Sequence, residues 1–222
     1  MREVTAIFEA ISAQDEPKVR SLVENDPSLA QAVNGNGISA ILWALYHRRQ
    51  NLADWLAGFH DQLPAFEAAA LGKLSTLQEH YETQPGILEA VSADGFTLLH
   101  YACFFSQFAV AKWLLDKGAN IHAKTPPPSL LSPLHSAVAA RATPIVQLLL
   151  AAGADPNVQQ QGGYTPLMSA ASHGELEIME ALIRHGAKIN LTDNEGKTAR
   201  KMAVENHQKD AIELLDSSAQ KT

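Results

Sequence analysis

The chain has 222 residues, 24 acidic against 17 Lys and Arg, and a formal net charge of −7. That balance excludes the electrostatic footprint of a DNA or RNA binder, and a single cysteine, Cys103, excludes an internal disulfide framework. A hydrophobic fraction of 46% with only 6% aromatic residues points to helices packed through Ala and Leu. No apolar run is long enough to cross a membrane, and MREVTAIFEAISAQDEP reads as an amphipathic helix, not a signal peptide. The expected compartment is the cytoplasm.

Thr5 opens a pattern that then recurs. An alanine follows five residues later (Ala10) and a leucine seventeen later (Leu22), with Pro17 at the start of a second helix. ENDPSLAQAVNGNG, up to Gly37, reads as an extended connection with turn residues at both ends. Ser39, Ala44 and Leu56 repeat the pattern, and a third, offset copy aligns from Leu63 through Ala68, Ala69 and Gly72. Only 24 residues separate Ser39 from Leu63, so the turn joining these two copies, near Gly58 to Gln62, is expected to be missing.

From Thr97 the pattern is regular. Thr97, Ser132, Thr165 and Thr198 lie 35, 33 and 33 residues apart, each followed by the alanine (Ala102, Ala137, Ala170, Ala203) and the leucine (Leu114, Leu149, Leu182, Leu215). The stretch GYTPLMSAASHGELEIMEALIRHGA, Gly163 to Ala187, shows the unit most clearly. Thr165-Pro166 supplies a cap and a first-turn proline, and Gly174 ends the first helix. Leu176, Ile178, Met179, Leu182 and Ile183 form one face of a second helix, stopped by Gly186. Helices are therefore predicted near 166–173 and 176–185. The longer step after Thr97 carries Pro126, Pro127 and Pro128, read as a stiff loop. At Thr198 the proline becomes Ala199 and Arg200-Lys201 replaces the Leu-His seen at Leu134-His135, the polar outer face of a terminal cap. Residues 217–222 are read as a short polar tail.

A second regularity crosses the first. Phe8, Glu9, Ala10, Pro27, Val33, Gly37, Ala44 and Trp55 reappear 58 residues later as Phe66, Glu67, Ala68, Pro85, Val91, Gly95, Ala102 and Trp113. The first four repeats read as a duplicated two-repeat module.

A period near 33 with TLLHYA, SPLHSA and TPLMSA at the helix starts resembles the ankyrin repeat family. The resemblance implies an all-α solenoid of about seven helix-turn-helix repeats in one array over 1–216, starting near Thr5, Ser39, Leu63, Thr97, Ser132, Thr165 and Thr198, with degenerate terminal caps. It also implies that His100 and His135, in the fourth place of the TPLH motif, bond backbone groups of neighbouring turns. His122, His173, His185 and His207 fall in turns or helix ends of different repeats, and no pair is spaced like HExxH or a zinc site. Cys103 is expected as a small buried thiol. No catalytic, cofactor-binding or metal-binding residue is assigned.

Function is therefore expected on a surface: a non-catalytic protein-binding module, a monomer, with a protein partner and neither nucleic acid nor membrane. In the family, first helices and projecting turns line a concave face. Carried onto this chain, that face takes in Phe96, Phe104, Phe105, Lys117, Lys124, Leu131, Tyr164 and His173 as partner-binding candidates. The competing reading for Phe104 and Phe105 is packing beneath the proline-rich finger or against repeat three. Two other readings stay open: a small hydrolase or metal-dependent enzyme using groove histidines and carboxylates, and a self-assembling structural subunit.

Overall fold

A computed structural model describes residues 2–219, and among them every regular element is helical. Seven pairs of α-helices follow in chain order: α1 Arg2–Ser12 with α2 Glu16–Asn25, α3 Ala40–Tyr46 with α4 Gln50–Ala57, and α5 Ala65–Leu71 with α6 Leu74–Thr83. Then come α7 Leu98–Phe104 with α8 Phe108–Asp116, α9 Pro133–Ala139 with α10 Thr143–Ala151, α11 Pro166–His173 with α12 Leu176–Arg184, and α13 Ala199–Glu205 with α14 Lys209–Ala219. The predicted helices of the Thr165 repeat are found to within a residue. Packing groups the chain into two compact units, one up to Leu98 and one from Leu99 onward. Each is described by itself.

In the first unit, α1, α3 and α5 pack side by side. Asp15 caps α2 by accepting from Lys18 N at 3.1 Å, and Pro17 occupies its first turn as expected. Thr5, however, is not at a helix start. It lies inside α1, which starts at Arg2, so the terminal repeat gains a turn the others lack. The segment after α2 is also not extended. Asp26 accepts from Ser28 N at 3.0 Å, Pro27 presets the backbone, and Pro27–Gln31 closes into a short 3-10 helix. A second such helix, Pro85–Glu89, follows α6 58 residues later. Isolated bridges keep the same offset, Val33 to Ser39 and Val91 to Thr97. The duplicated module is thus visible in backbone conformation as well as in sequence.

Those bridges close hairpin fingers, and one polar side chain folds each. Asn34 Oδ1 accepts from Asn36 N and Ile38 N at 2.9 and 3.1 Å. Ser92 Oγ accepts from Phe96 N at 3.1 Å, and in the second unit Asp193 Oδ1 accepts from Glu195 N and Lys197 N at 2.9 and 2.7 Å. Between α4 and α5 no finger forms. Residues 58–64 run directly across, with Gln31 Nε2 donating to Phe59 O at 3.0 Å and His80 Nε2 bonding Leu63 O at 2.8 Å. The fingers on either side of this gap therefore meet. A Cβ on Gly37 would lie 2.6 Å from the Cβ of Ala93.

In the second unit, α9, α11 and α13 form one layer, and α8, α10, α12 and α14 the other. Ser132 and Thr165 cap α9 and α11, each with proline in the first turn. Two imidazoles tie successive repeats. His100 Nε2 donates to Leu131 O at 3.0 Å and His135 Nε2 to Tyr164 O at 3.4 Å. His135 Nδ1 in turn accepts from Ser132 N at 3.2 Å, which fixes the neutral ring with its hydrogen on Nε2. Met168 stands at the next equivalent place; its sulfur takes Thr165 N at 3.5 Å, but it has no hydrogen to give the following turn. In the last repeat α14 continues through Ala219, so Ser217 to Ala219 are helical; 220–222 lie outside the described residues. Arg200 and Asp216 form a two-pronged pair at 2.6 and 2.9 Å on the polar face of this repeat.

Two outcomes follow. Gly37 has φ 75°, so Gly37→Ala meets both backbone strain and the Ala93 contact, whereas Gly196, φ 77°, faces open space. Urea denaturation should show Gly37→Ala costing about 2 kcal/mol and clearly more than Gly196→Ala; equal losses would deny the finger contact. Burial pushes His100 and His135 from 6.5 down to about 4. Their contribution is complete above the unfolded value and is lost as pH falls toward the folded one. From pH 7 to pH 5 the loss is about 2 kcal/mol per ring. His135→Gln keeps a capping side chain without titrating, so its urea midpoint should fall less over that range; an unchanged slope would refute the buried neutral ring.

Candidate protein-interaction surface

The aromatic set of the fourth repeat grows from the end of α7. Tyr101 faces inward and is fully buried, and Phe105 stacks on it with centroids 6.2 Å apart and planes at 10°. Phe104 meets Phe105 edge-on at 5.1 Å and stays 40% exposed. The chain then turns through Ser106, φ 59°, and Phe108 opens α8 at 45% exposure. Phe105 is thus half-buried and held from beneath, while Phe104 and Phe108 present their rings to solvent. Phe108 escaped the sequence reading because only positions before the motif and those closing the first helix were counted for rings; its place four residues after the end of α7, at the start of α8, was the available signal.

The remaining candidates fall at three levels. Lys124, Leu131 and Tyr164 belong to the fingers of the second unit, whose carbonyls at Leu131 and Tyr164 hold the two imidazoles. Tyr164 leaves 36% of its surface free, Leu131 is half-buried and Lys124 is exposed. His173 ends α11, exposed, with Nδ1 against Ser169 O at 2.8 Å. Lys117 ends α8, a second helix, and so belongs to the opposite end of the pair from Phe104 and Phe105. Phe96 lies in the first unit, in the finger that Ser92 organises. A hollow of about 370 Å³ opens beside Lys124, with His122, Leu134, Asp155 and Val158 in its walls.

Nucleophiles are poorly placed for chemistry. Cys103 is fully buried and desolvation drives its thiol far above the usual range, so it is held as the unreactive thiol. His100 and His135 are likewise spent on backbone carbonyls. Among the described residues, no three His, Cys, Asp or Glu gather as a metal-ion site, and no helix is long and apolar enough to cross a membrane.

Comparison with known proteins agrees with this architecture. Residues 134–222 match the model described as "Ankyrin repeats (3 copies)", and residues 94–126 match "Ankyrin repeat". The chain is 25% identical over 203 residues to the "Probable 26S proteasome regulatory subunit p28" of Saccharomyces cerevisiae, covering 84% of this chain and 88% of the yeast protein. It is 37% identical over 129 residues to "Neurogenic locus notch homolog protein 1" of Xenopus tropicalis, covering 57% of this chain but 5% of that protein. Human "Ankyrin repeat domain-containing protein 37" is 37% identical over 92 residues, 41% of this chain and 58% of its own length. Helix pairs capped at Ser132, Thr165 and Thr198, fingers between them, imidazole ties and two matching family models lead to one conclusion: the chain belongs to the ankyrin repeat family.

Proposed function

We propose that the second unit binds a protein partner through the exposed rings of its fourth repeat and the neighbouring fingers, without catalysis of its own. The observation that carries this reading is the exposure of Phe104, Phe108 and Tyr164 in a chain with only 6% aromatic residues. Solvent-facing rings of this size cost solubility unless something covers them, and a ring can contribute 150–250 Å² of contact, roughly the scale of an interface anchor. The ankyrin fold is an interaction fold, and the yeast relative is named as a regulatory subunit of a larger assembly, which supports attachment to another protein. Lys124 at the finger rim favours an acidic partner, through a contact that salt weakens. The lone buried Cys103 suits a reducing compartment, and the cytoplasm is the proposed location.

The two phenylalanines separate binding from folding. Using a partner recovered by pull-down with the parent chain, Phe104→Ala should weaken binding by about thirtyfold while leaving the melting temperature unchanged. Phe105→Ala should instead destabilise by about 2 kcal/mol, because it uncovers Tyr101. Glu177→Ala, on a second helix, is the control. If Phe104→Ala and Tyr164→Ala both bind like the parent, the surface is misassigned.

A further inference from the structure

Glu67 is a carboxylate in a position where water is nearly excluded. It is 7% exposed, on α5 among Ala65, Ala68, Ala69 and Leu71. Among the described residues it has no hydrogen-bond or ion-pair partner. The cations of this unit that form ion pairs are committed elsewhere: Arg20 and Arg49 to Glu16, and Lys73 to Asp54. Nor are its oxygens sealed. The fully buried side-chain polar atoms left without a partner, among the described residues, are His60 Nε2 and Asp193 Oδ2, so the little surface Glu67 keeps includes its carboxylate. A carboxylate with this little exposure and no counter-ion among the described residues is open to pairing with a cation brought by another molecule.

What stands beside it has one chemistry. Glu9, Trp43 and Glu67 each precede the repeated alanine of their repeat, so they share one register on α1, α3 and α5, which pack in that order. Packed helix axes lie about 8–10 Å apart, close enough for one extended side chain to reach from one register position to the next. The Trp43 indole is fixed edge-on to Phe8 at 6.2 Å, tilted against the His47 ring at 5.1 Å, and by Nε1 donating to Ser12 Oγ at 2.9 Å, and it remains half-exposed. One turn further along α3, Tyr46 donates to Asp94 Oδ2 at 2.8 Å, so a second carboxylate borders the same helix. A carboxylate and an immobilised indole in one row match a guanidinium, which pairs with the first in its plane and stacks on the second with its face.

We propose that this row of the first unit is a docking slot for an arginine side chain of a partner protein. Glu67 supplies the paired charge and Trp43 the stacking surface; Asp94 adds a favourable field. The slot lies in the first unit and stands independently of the aromatic surface of the second.

The test follows the Trp43 indole N–H signal by NMR in the isotope-labelled full chain. The probe is the peptide acetyl-Gly-Gly-Arg-Gly-Gly-amide, with the same peptide carrying neutral citrulline as comparison. The arginine peptide should give a saturable shift in the millimolar range, and the citrulline peptide none. Glu67→Gln should weaken binding about tenfold or more and raise the urea midpoint, because an uncompensated buried charge is removed. Trp43→Leu, followed through amide signals of α3 and α5, should also weaken it and serves if Glu67→Gln does not fold. No saturable shift, an equal response to citrulline, or parent-like affinity in the variants that fold would each overturn the proposal.

Discussion

Helices of seven or eight residues cannot stand alone in water, and from α3 onward every first helix of a pair is that short. Their existence depends on close lateral contact, which depends on one small residue in each. Ala44, Ala68, Ala102, Ala137, Ala170 and Ala203 are fully buried, and Ala10 is nearly so. A larger side chain there would hold neighbouring helices apart and leave both without their packing. The repeated leucines of the second helices fill the layer behind: Leu56, Leu114, Leu149, Leu182 and Leu215 are all buried, and of these positions Leu22, in the terminal pair, is half-buried. Stability in such an array is a sum of near-neighbour terms, so each pair is only as secure as the pairs beside it.

Between the helix pairs, side chains do the work that a sheet ladder does elsewhere. Asn34, Ser92 and Asp193 fold their fingers by the same local geometry with three different acceptors. The imidazoles of His100 and His135 then carry the order from one finger to the next. These ties require a neutral ring, which burial enforces. Met168 retains the local half of the arrangement and drops the inter-repeat half, so the sixth and seventh repeats are joined by packing and finger contacts alone, including Asn194 N donating to Gly162 O at 2.8 Å.

Much of this was legible in the residues, because repetition multiplies weak signals. The caps at Ser39, Ser132, Thr165 and Thr198, the missing finger near residues 58–62 and the module offset of 58 all rest on positions that recur. What did not recur was harder to read. Thr5 sits in register yet falls inside a helix, because α1 already starts at Arg2. Asp26-Pro27 was taken as turn chemistry, although an acceptor followed by proline equally starts a 3-10 helix. On the surface, the phenylalanines were found by type but not by depth. Whether Phe105 or Phe104 faces water depends on where Tyr101 lies, a tertiary fact. Glu67 resembled any helical glutamate, and only its burial distinguishes it.

Cys103 gives the second unit a built-in clock. The only thiol in the chain sits one residue past the repeated alanine of the fourth repeat, fully enclosed. A thiol reagent can reach it only when α7 lifts from its neighbours, so the rate of labelling counts local openings of that repeat without reporting on any other. Where labelling is fast relative to reclosing, the same residue reads the opening rate; where it is slow, it reads the equilibrium between closed and open forms. The chain thus carries its own probe for whether the repeats come apart one at a time or together.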